Sequence, residues 1–292
     1  MATSALDAFQ THRPNLFAIA YRMLGSALDA EDIVQETYLR YRSTPPDTIS
    51  RPRAYLTTIL TRLCVDQLHL ARRQREVYVG PWLPEPIATP EDGDAVDPAD
   101  RVERHETISL AFLTLLEQLQ PFERAVLVLR EAFEYSYAEI AGFLGKSEAA
   151  CRQTHLRAKK CLAEHRPRFT PSPEAHRRLL AAFLAAVREG DMDTLTRLLA
   201  EDVVLCADGG GKARGAATRP VRGRIAVARF SIGATRRFLP ASPCVDLAEV
   251  NAAPALIFRD GDRTLLVLSI DVVGQRVQTV RIIANPDKLA HV

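Results

Sequence analysis

The sequence predicts two helical domains followed by a small α+β domain with a mostly antiparallel sheet. Three observations carry that prediction. Apolar residues recur at helical spacing up to about residue 78, and again from about 105 to 166. Between the two blocks lies a stretch with Pro84, Pro86, Pro90 and Pro98, in which residues 81–105 hold seven acidic side chains against two basic ones. After Pro171-Ser172-Pro173 the pattern changes to short apolar runs punctuated by glycine, as strands and turns require. The boundaries drawn are 1–80, 81–105, 106–168 and 171–292, with residues 84–104 reading as an extended Pro-rich, acidic linker. A chain of 292 residues, 47% hydrophobic and 25% charged, is long enough for two or three globular cores.

In the first block Leu16, Phe17, Ala20, Met23 and Leu24 mark a helix that stops at Gly25-Ser26. Asp29 opens a second helix through Arg40, its early carboxylates and late arginine suiting the helix dipole. Ile33, Val34, Thr37 and Tyr41 are expected inside, with Glu31, Asp32, Gln35 and Glu36 on a polar outer face. Ser43 to Asp47 breaks the chain. A third helix then runs from Arg53 to about Arg75, apolar at Leu56, Ile59, Leu60, Leu63 and Leu68.

The segment Tyr78 to Pro86, YVGPWLPEP, follows and holds the only Trp. Its prolines exclude a helix interior, and it is too apolar for a flexible linker. In the second block, Tyr137 to Leu144 and a helix from Ser147 to about Ala163 read as a helix-turn-helix. Gly145 supplies the turn and Ser147 the N-cap. Ile140, Ala141 and Leu144, then Ala150, Cys151, Thr154, Ala158 and Leu162, are expected inside. Arg152, Gln153, Leu156, Arg157, Lys159 and Lys160 face out, the residue types that reach base edges and phosphates. An αα-hairpin with a solvated basic face accounts for the same pattern. The last block reads as a helix over 174–189, a short helix after Gly190, a strand ending at Asp208, a helix near 224–237, and strands at 244–250, 254–260 and 263–283, the last split at Gly274.

The net charge of +2 hides seven basic and two acidic residues within 146–168, a footprint for a polyanion or a solvated helix face. Five scattered cysteines (64, 151, 161, 206 and 244) read as reduced core thiols, not as a disulfide framework or a zinc site. No metal or cofactor is expected. No apolar run suits a signal peptide or a membrane span, and a cytoplasmic location is expected. In the last block Asp208, Asp246 and Asp271 are candidates for a general base, although each is more often a turn or strand-end residue. With no Tyr there and only His176 and His291, no catalytic residue is assigned. Asp208-Gly209-Gly210-Gly211-Lys212 offers backbone donors to an anion, but it lacks the phosphate-loop spacing and reads better as a mobile contact loop.

Taken together, residues 16–41, 51–73 and 119–162 resemble regions 2 and 4 of extracytoplasmic-function (ECF) sigma factors. YVGPWLPEP, the DGGGK of 208–212 and the NPDKL of 285–289 resemble the subgroup with a fused SnoaL-like domain, a cone with a pocket. The resemblance implies a multi-domain chain with a region 2 helical bundle, a region 4 helix-turn-helix and a C-terminal α+β SnoaL-like cone. It implies an alternative sigma factor that binds RNA polymerase core through the β′ clamp and β flap, recognises −35 and −10 type promoter elements, and is modulated in cis by its C-terminal domain. It implies no enzyme, no membrane and no obligatory separate anti-sigma factor, and it leaves room for an unidentified small-molecule ligand in the cone.

By residue, Asp29, Glu31, Asp32, Gln35 and Glu36 match the polymerase-binding face. Arg51, Arg53, Arg62, Arg72 and Arg73 match the promoter-melting element, although many relatives carry Arg-Asn where this chain has Thr61-Arg62. Arg152, Gln153 and Arg157 match the −35-reading helix, with Lys159 and Lys160 on phosphates. Tyr78, Pro81, Trp82, Leu83 and Pro84 are expected to dock on a surface that includes Asp208, Gly209, Gly210, Lys212, Asn285, Pro286, Asp287 and Lys288. Alternatively, Trp82 caps the region 2 core. Two other functions account for part of the pattern: a helix-turn-helix repressor with a ligand-sensing domain, and a SnoaL-like isomerase or cyclase fused to a DNA-binding module.

Overall fold

The computed structural model describes residues 5–89, 108–163 and 172–292. The chain divides into two compact units. The first comprises 1–76, 95–108 and 112–166, and the second 77–94, 109–111 and 167–292. The acidic residues from Glu91 to Glu103, expected as an extended linker, lie outside the described residues.

The first unit is helical. Helices α1 (Ala5–Leu24), α2 (Ala27–Arg42) and α3 (Pro52–Arg75) pack around Ile19, Ala20, Met23, Val34, Leu56 and Leu60. Helix α2 begins earlier than the expected Asp29. Ser26 is its N-cap, with Oγ accepting from the Asp29 N–H at 3.1 Å, so Asp29 lies within the first turn. Of its expected inner face, Val34, Thr37 and Tyr41 are buried while Ile33 is half-buried. Among the described residues four helices follow: α4 (Leu110–Leu116, in this unit from Phe112), α5 (Pro121–Glu131), α6 (Tyr137–Leu144) and α7 (Glu148–Ala163).

Helices α6 and α7 make the helix-turn-helix. Ser136 and Glu139 form a capping box at its start. Gly145 takes φ +62° in the turn, and Ser147 Oγ accepts from the Ala150 N–H. The inner face of α6 differs from expectation. Phe143 is buried beside Ile140, while Ala141 and Leu144 are half-buried, because Phe143 packs edge-on against Tyr135 at 5.0 Å between ring centroids.

The second unit has α8 (Pro173–Glu189), α9 (Met192–Leu198) and α10 (Arg224–Phe238) on one face of a six-stranded sheet. Its strands are β1 (Leu199–Asp208), β2 (Val221–Arg222), β3 (Cys244–Val250), β4 (Ala253–Asp260), β5 (Arg263–Val273) and β6 (Arg276–Ile283), in the order β2-β1-β6-β5-β4-β3. Only β1 and β6 run parallel. Side chains alternate across the sheet. Leu256, Phe258, Leu268 and Ile270 pack with Phe183, Val187 and Val227 from the helices. Ala255, Ile257, Val267 and Ile283 point to the other face, where Leu83 and Leu289 cover them.

That cover corrects the reading of residues 84–89 as linker. Leu83, Pro84, Glu85 and Pro86 are buried, and Ala88 bridges Val250 at the end of edge strand β3. A second correction concerns the thiols. None of the five forms a disulfide, and Cys64 and Cys151 are buried, but Cys161 and Cys206 are only partly buried and Cys244 is exposed.

Candidate functional sites

The segment from Tyr78 to Thr89, here called the strap, is held by a network centred on Asp208. Strand β1 ends at this residue, whose own carbonyl accepts from the Ala284 and Asn285 N–H groups, so the end of β1 and the 284–289 segment are tied together. The Asp208 carboxylate is fully buried. It accepts the Tyr78 hydroxyl at 2.5 Å, the Leu83 N–H at 2.8 Å, the Gly210 N–H at 3.1 Å and the Lys288 ammonium at 2.7 Å. Lys288, 8% exposed, also donates to the Leu83 carbonyl at 2.5 Å. Its Nζ lies 4.0 Å from the Trp82 ring centroid and 5.4 Å from that of Tyr78. An ammonium removed from water is thus compensated by a carboxylate, a carbonyl and two aromatic faces.

Asn285 donates to the Tyr78 hydroxyl at 3.0 Å. Burial first, and the hydrogen bond to Asp208 second, push the Tyr78 phenol well above its ordinary range. Further along, Ile87 exchanges hydrogen bonds with Asn251, whose φ of +52° belongs to the β3–β4 turn, and His291 Nδ1 lies 2.8 Å from the buried Glu85 carboxylate.

The structure therefore brings Tyr78, Trp82, Leu83, Asp208, Gly210, Asn285 and Lys288 together. Pro81 and Pro84 frame Trp82 and Leu83, and Pro84 is buried. The Lys212 and Asp287 side chains pair with each other on the surface, while the Asp287 N–H donates to Asn285 Oδ1 at 3.2 Å. Pro286 opens the short 3₁₀ turn that presents Lys288. A Cβ on Gly210 would meet Asn285 at 2.5 Å, and one on Gly209 would meet Ala216 at 2.6 Å, so both glycines permit close approach. DGGGK is thus a packed turn. Sequence reasoning missed Glu85, Asn251 and His291, whose partners are 164 or more residues away.

The three carboxylates considered for catalysis are all engaged elsewhere. Asp208 binds Lys288, Asp246 pairs with Arg259, and Asp271 accepts Arg281 in a two-pronged pair at 2.6 and 2.5 Å. Among the described residues no cluster of three His, Cys, Asp or Glu is placed to hold a metal, and no helix is long and apolar enough to cross a membrane.

In the first unit α2 presents Asp32 and Gln35 to solvent, while Glu31 and Glu36 are half-buried, Glu36 accepting from Arg40 at 2.8 Å. Asp29 sits half-buried in the first turn. The same face carries two exposed leucines, Leu28 at 53% and Leu39 at 51%. Leu28, Asp32, Gln35 and Leu39 follow helical spacing and form one stripe. The two leucines escaped sequence reasoning because an apolar residue in a helix is first assigned to the core.

On α7, Arg152, Gln153, Arg157, Lys159 and Lys160 are exposed, with Leu156 at 63% among them. Arg152 pairs with Glu148 at 2.6 Å, Arg157 donates to Thr154 at 3.3 Å, and Lys159 reaches Glu131 at 3.3 Å. Burial opposes ionisation of Glu131, but hydrogen bonds from Lys159 and His155 hold its carboxyl below the usual range. His155, buried on α7 between Tyr137 and Glu131, was not foreseen.

The arginines of α3 turn toward α5 and α6 within the same unit. Arg62 donates to the Phe143 carbonyl at 2.9 Å, Arg53 lies 5.7 Å from the Tyr135 ring centroid, and Arg72 binds Gln120. Arg51 and Arg53 stand near Glu139, whose carboxyl is lowered mainly by Ser136. Arg73 is exposed. Tyr55 is half-buried, its hydroxyl 3.1 Å from that of Thr44.

Comparison with known proteins agrees with this geometry. Residues 8–76 match Sigma-70 region 2, and residues 109–162 match Sigma-70, region 4. The chain is 40% identical over 293 residues to the ECF RNA polymerase sigma factor SigJ of Mycobacterium tuberculosis, spanning 97% of this chain and 92% of that one. It is 39% identical over 196 residues to the probable ECF RNA polymerase sigma factor SigI of the same organism, 66% of each chain. The crystal structure of M. tuberculosis SigJ superposes with a TM-score of 0.74 at 38% identity, covering 97% of both chains. A region 2 bundle, a region 4 helix-turn-helix and a C-terminal α+β unit in one chain, similar to SigJ nearly end to end, place this protein in the ECF family of RNA polymerase sigma factors.

Proposed function

We propose that this sigma factor is restrained in cis by its C-terminal unit, acting through the strap. The carrying observation is the buried Asp208–Lys288 pair, whose remaining hydrogen-bonding capacity is filled by Tyr78 and Leu83. Burying two charges costs several kcal/mol, and such pairs serve best where they fix a register or a switch. Here they fix the segment that follows α3 directly in sequence, since α3 ends at Arg75 and the strap begins at Tyr78. The regulatory domain on this reading is residues 172–292 with the strap, and the sigma regions occupy 1–76 and 106–168. Tethering in cis makes a modest contact effective.

In the active state the α2 stripe of Leu28, Asp32, Gln35 and Leu39, flanked by Asp29, Glu31 and Glu36, meets the β′ clamp, exposed leucines supplying the apolar anchors typical of interface centres. Region 4 meets the β flap, and Arg152, Gln153 and Arg157 read a −35 type element while Lys159 and Lys160 lie on phosphates. Arg51, Arg53, Arg62, Arg72 and Arg73 serve the melted −10 type element. Three of these are engaged with α5, α6 or Tyr135. The arrangement is therefore a resting one, and α3 must leave region 4 before it meets DNA. The C-terminal unit performs no catalysis on this reading, and the protein works in the cytoplasm.

Run-off transcription with purified polymerase core tests the proposal, comparing the full chain with Trp82→Ala and Lys288→Met. Expected is a several-fold rise in core-dependent transcript for both variants. A fall would reverse the sign and make the strap a support for productive spacing. Unchanged output would remove cis-control altogether.

A further inference from the structure

The helix-bearing face of the second unit encloses a cavity of about 350 Å³, at the small end of the range for ligand sites. Its floor is apolar, with Phe183, Val187, Ala207, Phe258 and Leu268 all buried. Three cations line it, Lys212, Arg214 and Arg263, all exposed and so at the rim, and its wall contains no Asp or Glu. Lys212 is neutralised by Asp287, which leaves Arg214 and Arg263. On α10, Ser231 and Thr235 line the cavity one turn apart, and Ser231 Oγ is buried without a hydrogen-bond partner. A buried hydroxyl left unpaired carries a desolvation cost that a polar ligand atom relieves. The wall also lacks His, Cys and Tyr, and its one lysine, Lys212, is held by Asp287 at the exposed rim.

The roof of the cavity is the seat of the strap. Lys212 to Ala216, Pro286 and Leu289 line the cavity, while Asp208, Asn285 and Lys288 of the same two segments grip the strap. The glycine-rich loop is pressed from both sides. A Cβ on Gly211 would meet Val79 of the strap at 3.2 Å, and one on Gly215 would meet the Phe238 ring at 2.3 Å, Phe238 itself lining the cavity. The loop thus packs against the strap on one side and the cavity wall on the other.

We propose that this cavity binds a small apolar carboxylate and that ligand binding and strap seating reinforce each other. The apolar floor takes the body, Arg214 and Arg263 take the charge, and a ligand that fits the present cavity favours the loop arrangement in which the strap is seated. The coupling is reciprocal by linkage. The inference goes beyond cis-control and names its effector chemistry.

The test uses the full chain with decanoate as probe, and with decanol and decylammonium as matched neutral and cationic bodies. Isothermal titration is expected to give saturable 1:1 binding of decanoate, weaker binding of decanol and none of decylammonium. Replacing Arg214 and Arg263 with Ala is expected to weaken decanoate about tenfold or more, through the loss of both charge-assisted contacts at the exposed rim. Ala234→Leu, which fills the cavity from α10, is expected to abolish binding. Because the arginines are exposed, the double variant keeps the test valid if Ala234→Leu fails to fold. Trp82, the sole Trp and not part of the cavity wall, reports the strap: saturating decanoate is expected to reduce its quenching by acrylamide.

Equal affinity for decanol and decanoate, or unchanged binding in the arginine variant, overturns the assignment of chemistry. Unchanged Trp82 quenching at saturation overturns the coupling. If no decanoate binds while Trp82→Ala still raises transcription, the cavity proposal alone fails and cis-control stands.

Discussion

At the scale of single residues, the buried Asp208–Lys288 pair is the centre of the contacts that hold the strap. Lys288→Met leaves a fully buried carboxylate without its cation, and removing one partner of such a pair costs about 3–5 kcal/mol. Urea unfolding followed by Trp82 emission is expected to show that loss, and Asp208→Asn added to Lys288→Met is expected to recover part of it, since the uncompensated charge goes with it. Tyr78 adds a pH dependence. Its raised pKa means that the seated strap favours the protonated phenol, so its contribution is complete below the ordinary tyrosine pKa of about 10 and is lost as pH rises through the raised value. Trp82 emission between neutral pH and pH 11.5 is expected to report a loosening strap above pH 10. In Tyr78→Phe that component is absent, and identical titrations of the two proteins would contradict the role given to the phenol.

At the scale of elements, the strap substitutes for a layer of secondary structure. The face of the sheet opposite α8–α10 carries Ala255, Ile257, Val267 and Ile283, and a proline-rich segment covers it through Leu83, with Leu110 and Leu289 in the same cluster. Proline restricts the unbound segment, so seating it costs less entropy than seating a glycine linker. In the helical unit, α3 and α6 meet through Tyr135, which is buried between Thr57, Arg53 and Phe143. The Arg62 guanidinium also sits at the C-terminal end of α6, where the helix dipole favours a cation. Tyr135→Ala is expected to cost about 3–5 kcal/mol, as aromatic deletions from cores do. Amide exchange is expected to accelerate along the α3 face that meets α6, and protection equal to wild type there would show that Tyr135 does not hold the two elements together.

At the scale of the molecule, regulation in cis predicts what truncation does. A chain ending at Ala284 keeps β6 but loses Asn285 and Lys288, two of the three side chains that grip Tyr78 and Leu83. Limited proteolysis is expected to cut this variant within residues 77–89 faster than the full chain, and core-dependent transcription is expected to rise. Protection retained after truncation would mean that the apolar face alone suffices to seat the strap, and the charged network would then be a device for register.

The sequence by itself determined the elements and the family. Helical spacing marked α1–α3 and the helix-turn-helix, glycines marked the strand ends, and the lone Trp among prolines marked a segment with something to cover. These features are local, and local spacing is where side-chain periodicity and turn chemistry act. The tertiary structure decided the partners. Asp208 and Lys288 were expected on one docking surface but not as a pair across 80 positions, Leu28 and Leu39 went unmarked, and Phe143 displaced Ala141 and Leu144 from the inner face because Tyr135 offered it a ring edge. Whether a carboxylate is catalytic, solvated or locked in an ion pair depends on burial and on partners remote in sequence. Only the packed chain fixes those.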